Sequence, residues 1–135
     1  MDVPRDHFHV GEAPLDLEPL IAAVSGPGHG AVAVFLGVVR AEGDVVALDY
    51  EAYPAMATRQ MAALADALRA AHGPLAVACA HRVGRLDVGV VSLALAVGAP
   101  HRREAFAAAA DFVDRLKRSV PIWKRDLTLD ERSET

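Results

Sequence analysis

Two long apolar runs constrain the fold more than any other feature of the sequence. Residues 31–39 are apolar and rich in β-branched side chains, with Phe35 at the centre. A run of this kind predicts a strand that is covered on both faces. The longest apolar run, residues 88–100, is too short to cross a bilayer, and residues 88–97 within it predict another strand. We therefore expect a globular protein that encloses its strands in a core.

The composition also fits a globular protein with one core. Hydrophobic residues make up 53% of the 135 residues and charged residues 24%, which predicts a single domain over residues 1–135. The net charge of -4 and the aromatic content of 5% argue against a nucleic-acid partner, because such proteins use basic and aromatic side chains for binding. The charged residues 1–6 lack the apolar stretch of a signal peptide, so we expect a cytoplasmic protein.

Periodicity and turn signals predict six strands and three helices in the order β-α-β-β-α-β-β-α-β. Asp16 suits the N-cap of the first helix, and Gly73 and Pro121 predict the ends of the second and third helices. The predicted strands span residues 6–10, 31–39, 45–53, 75–83, 88–97 and 122–129, and the second and third helices span 54–72 and about 102–119.

Short turns predict that four of the strands pair as two antiparallel hairpins. The turns are residues 41–44, between the second and third strands, and residues 84–87, between the fourth and fifth. Hairpins separated by helices indicate an α+β fold with a mainly antiparallel sheet and three helices. The charged tail, residues 130–135, is expected to be mobile.

The third helix has an apolar stripe that predicts its buried face. The stripe consists of Phe106, Ala109, Val113 and Leu116. Lys117 comes one position after Leu116, at the edge of this stripe, so we expect its amine to be partly desolvated. Burial lowers the pKa of a lysine toward neutrality.

Ordinary catalytic motifs are absent from the sequence: there is no glycine-rich phosphate loop, nucleophile elbow or zinc-binding spacing. His7 and His9 share one face of a strand at a spacing that suits two metal ligands, but no third ligand is near them in the sequence. Cys79, the single cysteine, lies in an apolar strand and is expected to be an inert core residue. We therefore expect neither a metal nor a cofactor.

Lysine is rare, because Lys117 and Lys124 are the two lysines among 14 basic residues. A chain that otherwise uses arginine can keep a lysine where a primary amine must act as nucleophile or acid. Codon bias with two chance survivors is the alternative. Lys124 follows the break at Pro121 and is expected to turn back toward Lys117.

Three further cations are candidates for binding an anion. His101 and Arg102 stand where a strand runs into the third helix, and free backbone N–H groups at a helix start favour an anion. Basic residues at that end oppose the helix dipole, which a bound anion would explain; solvated surface side chains are the alternative. Arg40 ends the apolar run 31–39 and either faces a cleft or is an exposed strand-end arginine.

Five segments in this order make the sequence recognisable, over about residues 30–125: FLGVVR (35–40), LDYEAYPAM (48–56), HRVG (81–84), HRREAF (101–106), and LK with VPIWKR (116–125). In these segments the chain resembles the large, catalytic subunit of molybdopterin synthase. The resemblance implies an α/β hammerhead fold and a homodimer of this subunit. It also implies a small ubiquitin-like sulfur-carrier subunit at each end of the dimer, giving a heterotetramer.

The reaction that the resemblance implies is sulfur transfer. Two thiocarboxylated carrier tails deliver sulfur to cyclic pyranopterin monophosphate, which forms the dithiolene of molybdopterin in molybdenum cofactor biosynthesis. By the same resemblance, Lys117 matches the lysine beside the inserted tail and Lys124 a second essential lysine. Arg40, His101 and Arg102 match the pocket for the pterin phosphate, with His101 and Arg102 contributed by the neighbouring protomer.

The chain departs from the family pattern in three places. The turn 41–44 is shorter than the family's usual Asn-containing loop, Asp126 stands where Glu is common, and no tryptophan follows Trp123. An alternative function is a non-catalytic α+β dimer that binds a small anionic ligand or a ubiquitin-like partner. The presence of both lysines favours the enzyme.

Overall fold

The computed structural model describes residues 3–129, so the predicted mobile tail lies outside the described residues. Within them are seven strands and three helices, which confirms the α+β class. The strands are β1 (His7–Gly11), β2 (Ala31–Val38), β3 (Val45–Ala52), β4 (Ala76–Arg82), β5 (Gly84–Asp87), β6 (Val91–Ala99) and β7 (Ile122–Thr128). The helices are α1 (Leu17–Val24), α2 (Pro54–His72) and α3 (Arg102–Ser119).

The strands form two sheets. The larger sheet has the order β1-β4-β6-β2, in which β1 pairs with β4 in parallel and the other pairs are antiparallel. The smaller sheet has the order β5-β3-β7 and is antiparallel throughout. Pairing is therefore mainly antiparallel, as the sequence predicts.

One of the two predicted hairpins is wrong and the other is altered. β2 pairs with β6 along its whole length, whereas β3 lies in the smaller sheet between β5 and β7. The continuous apolar β2 suits the sheet that carries helices, and the half-polar β3 suits a sheet with an open face. The pairing of β4 with β6 is confirmed, but residues 84–87, predicted as their turn, form β5 of the smaller sheet.

The helix boundaries follow the capping signals. The carboxylate of Asp16 accepts a hydrogen bond from Glu18 N at 3.2 Å, which caps α1. α2 ends at Gly73, whose φ of 89° is easily adopted by glycine alone. α3 ends at Ser119, and Val120 before Pro121 is extended, as expected for a residue that precedes proline.

The larger sheet lies between helices. α2 and α3 pack on one face, where Val77 and Cys79 of β4 belong to the main core. α1 packs on the other face against small side chains, Ala78 and Ala96 among them, which let the helix approach closely. None of the helices within residues 3–129 is both long and apolar enough to span a membrane.

The buried face of α3 differs from the prediction. Phe106 is 69% exposed, and Phe112 is completely buried in its place. Ala105, Ala109 and Leu116 share the buried face with Phe112 at helical spacing, which turns Phe106 away from the sheet. The expected burial of Ala109 and Leu116 is confirmed, and that of Phe106 is wrong.

β2 is an edge strand whose apolar side chains are exposed to solvent on one face. Val34 is 42% exposed, Leu36 43% and Val38 49%. α1 packs on β4 and β6, so this face of β2 has no helix over it. The prediction that both faces are covered is therefore wrong for the single chain.

Candidate active site

A cavity of about 600 Å³ lies where the two sheets meet the end of α3. Strands β2, β4 and β6 supply one wall, β3 and β7 supply the other, and the last turn of α3 closes one side. The charged residues that line it are Arg40, Glu42, Lys117, Lys124 and Asp126. With three cations and two carboxylates, its lining is cationic overall.

The pairing of β3 with β7 places Lys124 in this cavity. Lys124 lies opposite Tyr50, and Asp126 opposite Leu48. Since side chains alternate between the two faces of a strand, these four residues share the face that lines the cavity. The predicted return of Lys124 toward Lys117 is confirmed, because both line the same cavity.

Lys117 reaches the cavity from the last turn of α3. Leu116 beside it is buried at 5% exposure, but Lys117 itself is exposed, so its predicted desolvation is wrong for the single chain. The positive charge of a lysine at a helix C-terminus also interacts favourably with the helix dipole. The break at Pro121 then leads directly into β7, so Lys117 and Lys124 line the same cavity.

Arg40 also lines the cavity, as the cleft interpretation predicts. Its guanidinium forms an ion pair with Glu42 at 3.5 Å, and the two side chains are 80% and 73% exposed. An ion pair this exposed contributes little to stability. Arg40 is therefore available to bind an anion.

His101 and Arg102 are not brought into the cavity of their own chain. Both are exposed at the start of α3, where His101 Nδ1 lies 3.4 Å from Glu104 Oε2. At a rise of about 1.5 Å per residue, Arg102 is roughly 22 Å along the helix from Lys117. The single chain thus gathers Arg40, Lys117 and Lys124 and leaves His101 and Arg102 apart.

His81 and Tyr50 also line the cavity, although the sequence pattern indicates no role for either. His81 is 7% exposed, and its Nδ1 lies 2.7 Å from the carbonyl oxygen of Arg82. Burial lowers the pKa of His81. Its ring meets that of Tyr50 edge-on, with the centroids 4.9 Å apart. A polar residue near the end of an apolar strand was the available signal.

The other candidate groups lie outside this cavity. Cys79 is completely buried, which confirms its predicted core position, and burial raises the pKa of its thiol. His7 and His9 lie on β1, at the far edge of the larger sheet. Among residues 3–129 no group of three His, Cys, Asp or Glu side chains is placed to hold a metal ion.

The fold and the cavity define the class of protein. It is an α+β protein with an open, cationic cavity that suits a small anionic molecule and offers primary amines for proton transfer.

Comparison with known proteins narrows this class to one family. The sequence model described as "MoaE protein" matches residues 10–119. The molybdopterin synthase catalytic subunit of Nostoc sp. is 43% identical over 126 residues, which cover 90% of this chain and 76% of that protein. The chain belongs to the MoaE family.

Solved structures agree with this assignment. The crystal structure of molybdopterin synthase from Staphylococcus aureus matches with a TM-score of 0.87 at 32% identity, over 91% of this chain and 92% of that one. A Helicobacter pylori structure, described as a complex of subunits 1 and 2 of molybdopterin-converting factor, matches at 23% identity. Its TM-score is 0.74, and the match covers 91% of this chain and 86% of that one.

Proposed function

We propose that this chain is the catalytic subunit of a molybdopterin synthase. It transfers sulfur from the thiocarboxylated C-terminus of a small carrier subunit to cyclic pyranopterin monophosphate. The observation that carries the proposal is the presence of three cations in one cavity: Lys117 from α3, Lys124 from β7 and Arg40 from the segment after β2. The name and similarity of the Nostoc relative support it.

The cations divide the chemistry between them. Arg40 binds the substrate phosphate, since a guanidinium can offer two parallel N–H groups to a phosphate. Lys117 contacts the thiocarboxylate and supplies a proton to an oxygen that leaves the pterin, and Lys124 supports the transfer mainly through its charge. For each transfer, a carbon–sulfur bond forms on the pterin as a carbon–oxygen bond there breaks and the protonated oxygen leaves. Water then attacks the carbonyl carbon of the carrier tail, the bond from that carbon to sulfur breaks, and the carrier leaves as a carboxylate while the sulfur stays on the pterin as a thiolate.

The open cavity suits an extended peptide tail. The carrier tail enters beside Lys117, and it covers the exposed amine only when bound. Desolvation of Lys117 thus belongs to the complex and not to the free chain. The Helicobacter pylori complex of two subunits supports a partner of this kind.

A second copy of the chain completes the site. The uncovered apolar face and free edge of β2 suit burial in a homodimer. His101 and Arg102, too far from Lys117 to act in their own chain, then reach the cavity of the partner and bind the phosphate there. The assembly is a homodimer with one carrier at each end. Each chain of the homodimer is a single domain, and the assembly acts in the cytoplasm.

The test is to incubate the chain with cyclic pyranopterin monophosphate and thiocarboxylated carrier, and to measure dithiolene formation. We expect turnover by the native chain and its loss in Lys117→Ala. Arg118→Ala is the matched control, because Arg118 is the next residue, is also exposed and lies outside the cavity lining. If the native chain binds both substrates but forms no dithiolene, it is a binding protein and not the enzyme.

A further inference from the structure

His81 is the most deeply buried titratable group in the cavity lining. It lies on β4, in the wall opposite β3 and β7, and its residue is 7% exposed. The roles proposed for Lys117, Lys124 and Arg40 make no use of it. We therefore expect the imidazole of His81 to have a hydrogen-bond partner in the bound substrate.

The hydrogen bond at Nδ1 fixes which ring nitrogen carries the proton. The carbonyl oxygen of Arg82, 2.7 Å away, can only accept, so Nδ1 is the donor. In a neutral ring, Nε2 then has a free lone pair. The pKa of His81 is lowered by burial, which favours this neutral form at neutral pH.

The other contacts of His81 show the surroundings of Nε2. Within residues 3–129 no group makes a hydrogen bond to it. Every fully buried side-chain nitrogen or oxygen in that part of the chain has a hydrogen-bond partner. Since Nε2 has no partner there, it is not fully buried. Because His81 lines the cavity, a molecule bound there can reach an atom of the ring that is not enclosed. Edge-on contact with Tyr50, at an interplanar angle of 67°, holds the ring plane.

A neutral acceptor this deep does not attract a phosphate, which needs donors. Arg40, Lys117 and Lys124 are donors and are exposed, nearer to solvent than His81. The cavity is thus divided between exposed cations and a buried acceptor. A pterin monophosphate has a phosphate at one end and ring N–H groups at the other. It therefore matches both the exposed cations and the buried acceptor.

We propose that His81 Nε2 accepts a hydrogen bond from a ring N–H of the pterin and so orients the ring system in the cavity. This inference rests on the proposed function and names the group that recognises the pterin. His81 is a substrate-binding residue here, and no proton is transferred.

The first test needs no substitution. Protein labelled with ¹⁵N at histidine is examined by long-range ¹H–¹⁵N NMR at neutral pH. We expect His81 to carry its proton on Nδ1, and the Nε2 resonance to shift when cyclic pyranopterin monophosphate is added. Inorganic phosphate, which has no ring N–H, is the control and should leave Nε2 unshifted. A proton on Nε2, or a resonance that the pterin leaves unmoved, overturns the proposal.

The second test uses variants. His81→Asn keeps a donor for the Arg82 carbonyl and removes the acceptor, so the KM for the pterin should rise about tenfold while kcat changes less. His81→Gln, whose amide oxygen can reach the Nε2 position, should restore part of the affinity. His29→Asn is the matched control, because His29 Nδ1 also lies within 2.8 Å of a backbone carbonyl, that of Val24, but outside the cavity lining.

The outcomes separate the two proposals. A native chain that forms no dithiolene overturns the proposed function, whatever the state of His81. An active native chain with an unchanged KM in folded His81→Asn overturns the role of His81 alone. If His81→Asn does not fold, the NMR test on the native chain still decides.

Discussion

Lys117 and Arg118 are neighbours of the same charge with different surroundings. Lys117 lines the cavity, whereas Arg118 does not, although both side chains are exposed at the end of α3. The pair therefore separates the effect of an amine at one place from the effect of positive charge near it. An ammonium is compact and can lose its proton when it is desolvated, but a guanidinium is planar and stays protonated.

Lys117→Arg should lose at least about 100-fold in single-turnover dithiolene formation, because arginine keeps the charge but can neither donate its proton readily nor fit beside the tail. Saturating carrier and pterin isolate the chemical step. Arg118→Lys should remain near the native rate. Lys124→Arg should be affected less than Lys117→Arg. Near-native rates for Lys117→Arg would reduce this residue to an anion-binding group.

Cys79 should be dispensable for activity in spite of the sulfur chemistry. It is completely buried in the core, and burial raises the pKa of its thiol, which keeps it protonated. Cys79→Ala should keep turnover within a few-fold and cost about 1 kcal/mol of unfolding free energy through the small cavity that it leaves. Treatment with a chelator should also leave turnover unchanged. Loss of turnover in a folded Cys79→Ala protein would contradict the lysine-based chemistry.

At the scale of elements, one carboxylate joins α2 to α3. Asp111 Oδ1 accepts from Arg115 Nε at 2.9 Å, and Asp111 Oδ2 lies 2.9 Å from His72 Nε2. The hydrogen bond from Arg115, followed by that with His72, lowers the pKa of Asp111 below its ordinary value of 3.8. The contribution of this carboxylate to stability is therefore present above about pH 4, and it is lost as the pH falls through the lowered pKa.

Asp111→Asn should cost about 1 kcal/mol of unfolding free energy at neutral pH. The difference from the native protein should shrink as the pH falls below 4, because the native carboxyl becomes protonated as well. Denaturant unfolding at a series of pH values measures this. Asp114→Asn, on the exposed side of the same helix, should differ little from the native protein at any pH. A constant Asp111→Asn difference at every pH would rule out the linkage.

Local sequence signals predicted the helices but did not predict the pairing between distant strands. Asp16, Gly73 and Pro121 act on adjacent backbone, so their positions set the helix ends directly. The assumed hairpin of residues 31–39 and 45–53 failed because its partners were chosen by closeness in sequence. The second sheet forms only when residues 84–87 and β7 flank β3.

At the scale of the whole molecule, the site could be predicted only in part. Lys117 and Lys124 were found from their rarity, and the break at Pro121 explains why they meet. His81 was missed because its role depends on β3 of the other sheet, which brings Tyr50 to its ring. Phe106 and one face of β2 are exposed where the sequence predicts burial. The proposed homodimer would bury the open face of β2.

The proposed dimerisation through β2 makes a prediction about assembly. Leu36→Glu introduces a charge on the open face without touching the cavity lining, so it should yield a folded monomer with little turnover. Val88→Glu is the control, because Val88 is 39% exposed but lies outside β2. Sedimentation velocity reports the assembly state. A Leu36→Glu protein that remains dimeric would place the interface elsewhere.

The central claim is that each active site combines Lys117 of one chain with Arg102 of the other. The direct measurement is to mix Arg102→Ala chains with Lys117→Ala chains, each inactive as its own homodimer, and to assay purified heterodimers. One site of each heterodimer then contains both native groups, and the other contains neither. We predict about half of the native dithiolene-forming activity per heterodimer, since one of the two sites is intact. Verified heterodimers as inactive as their parents would contradict the shared site.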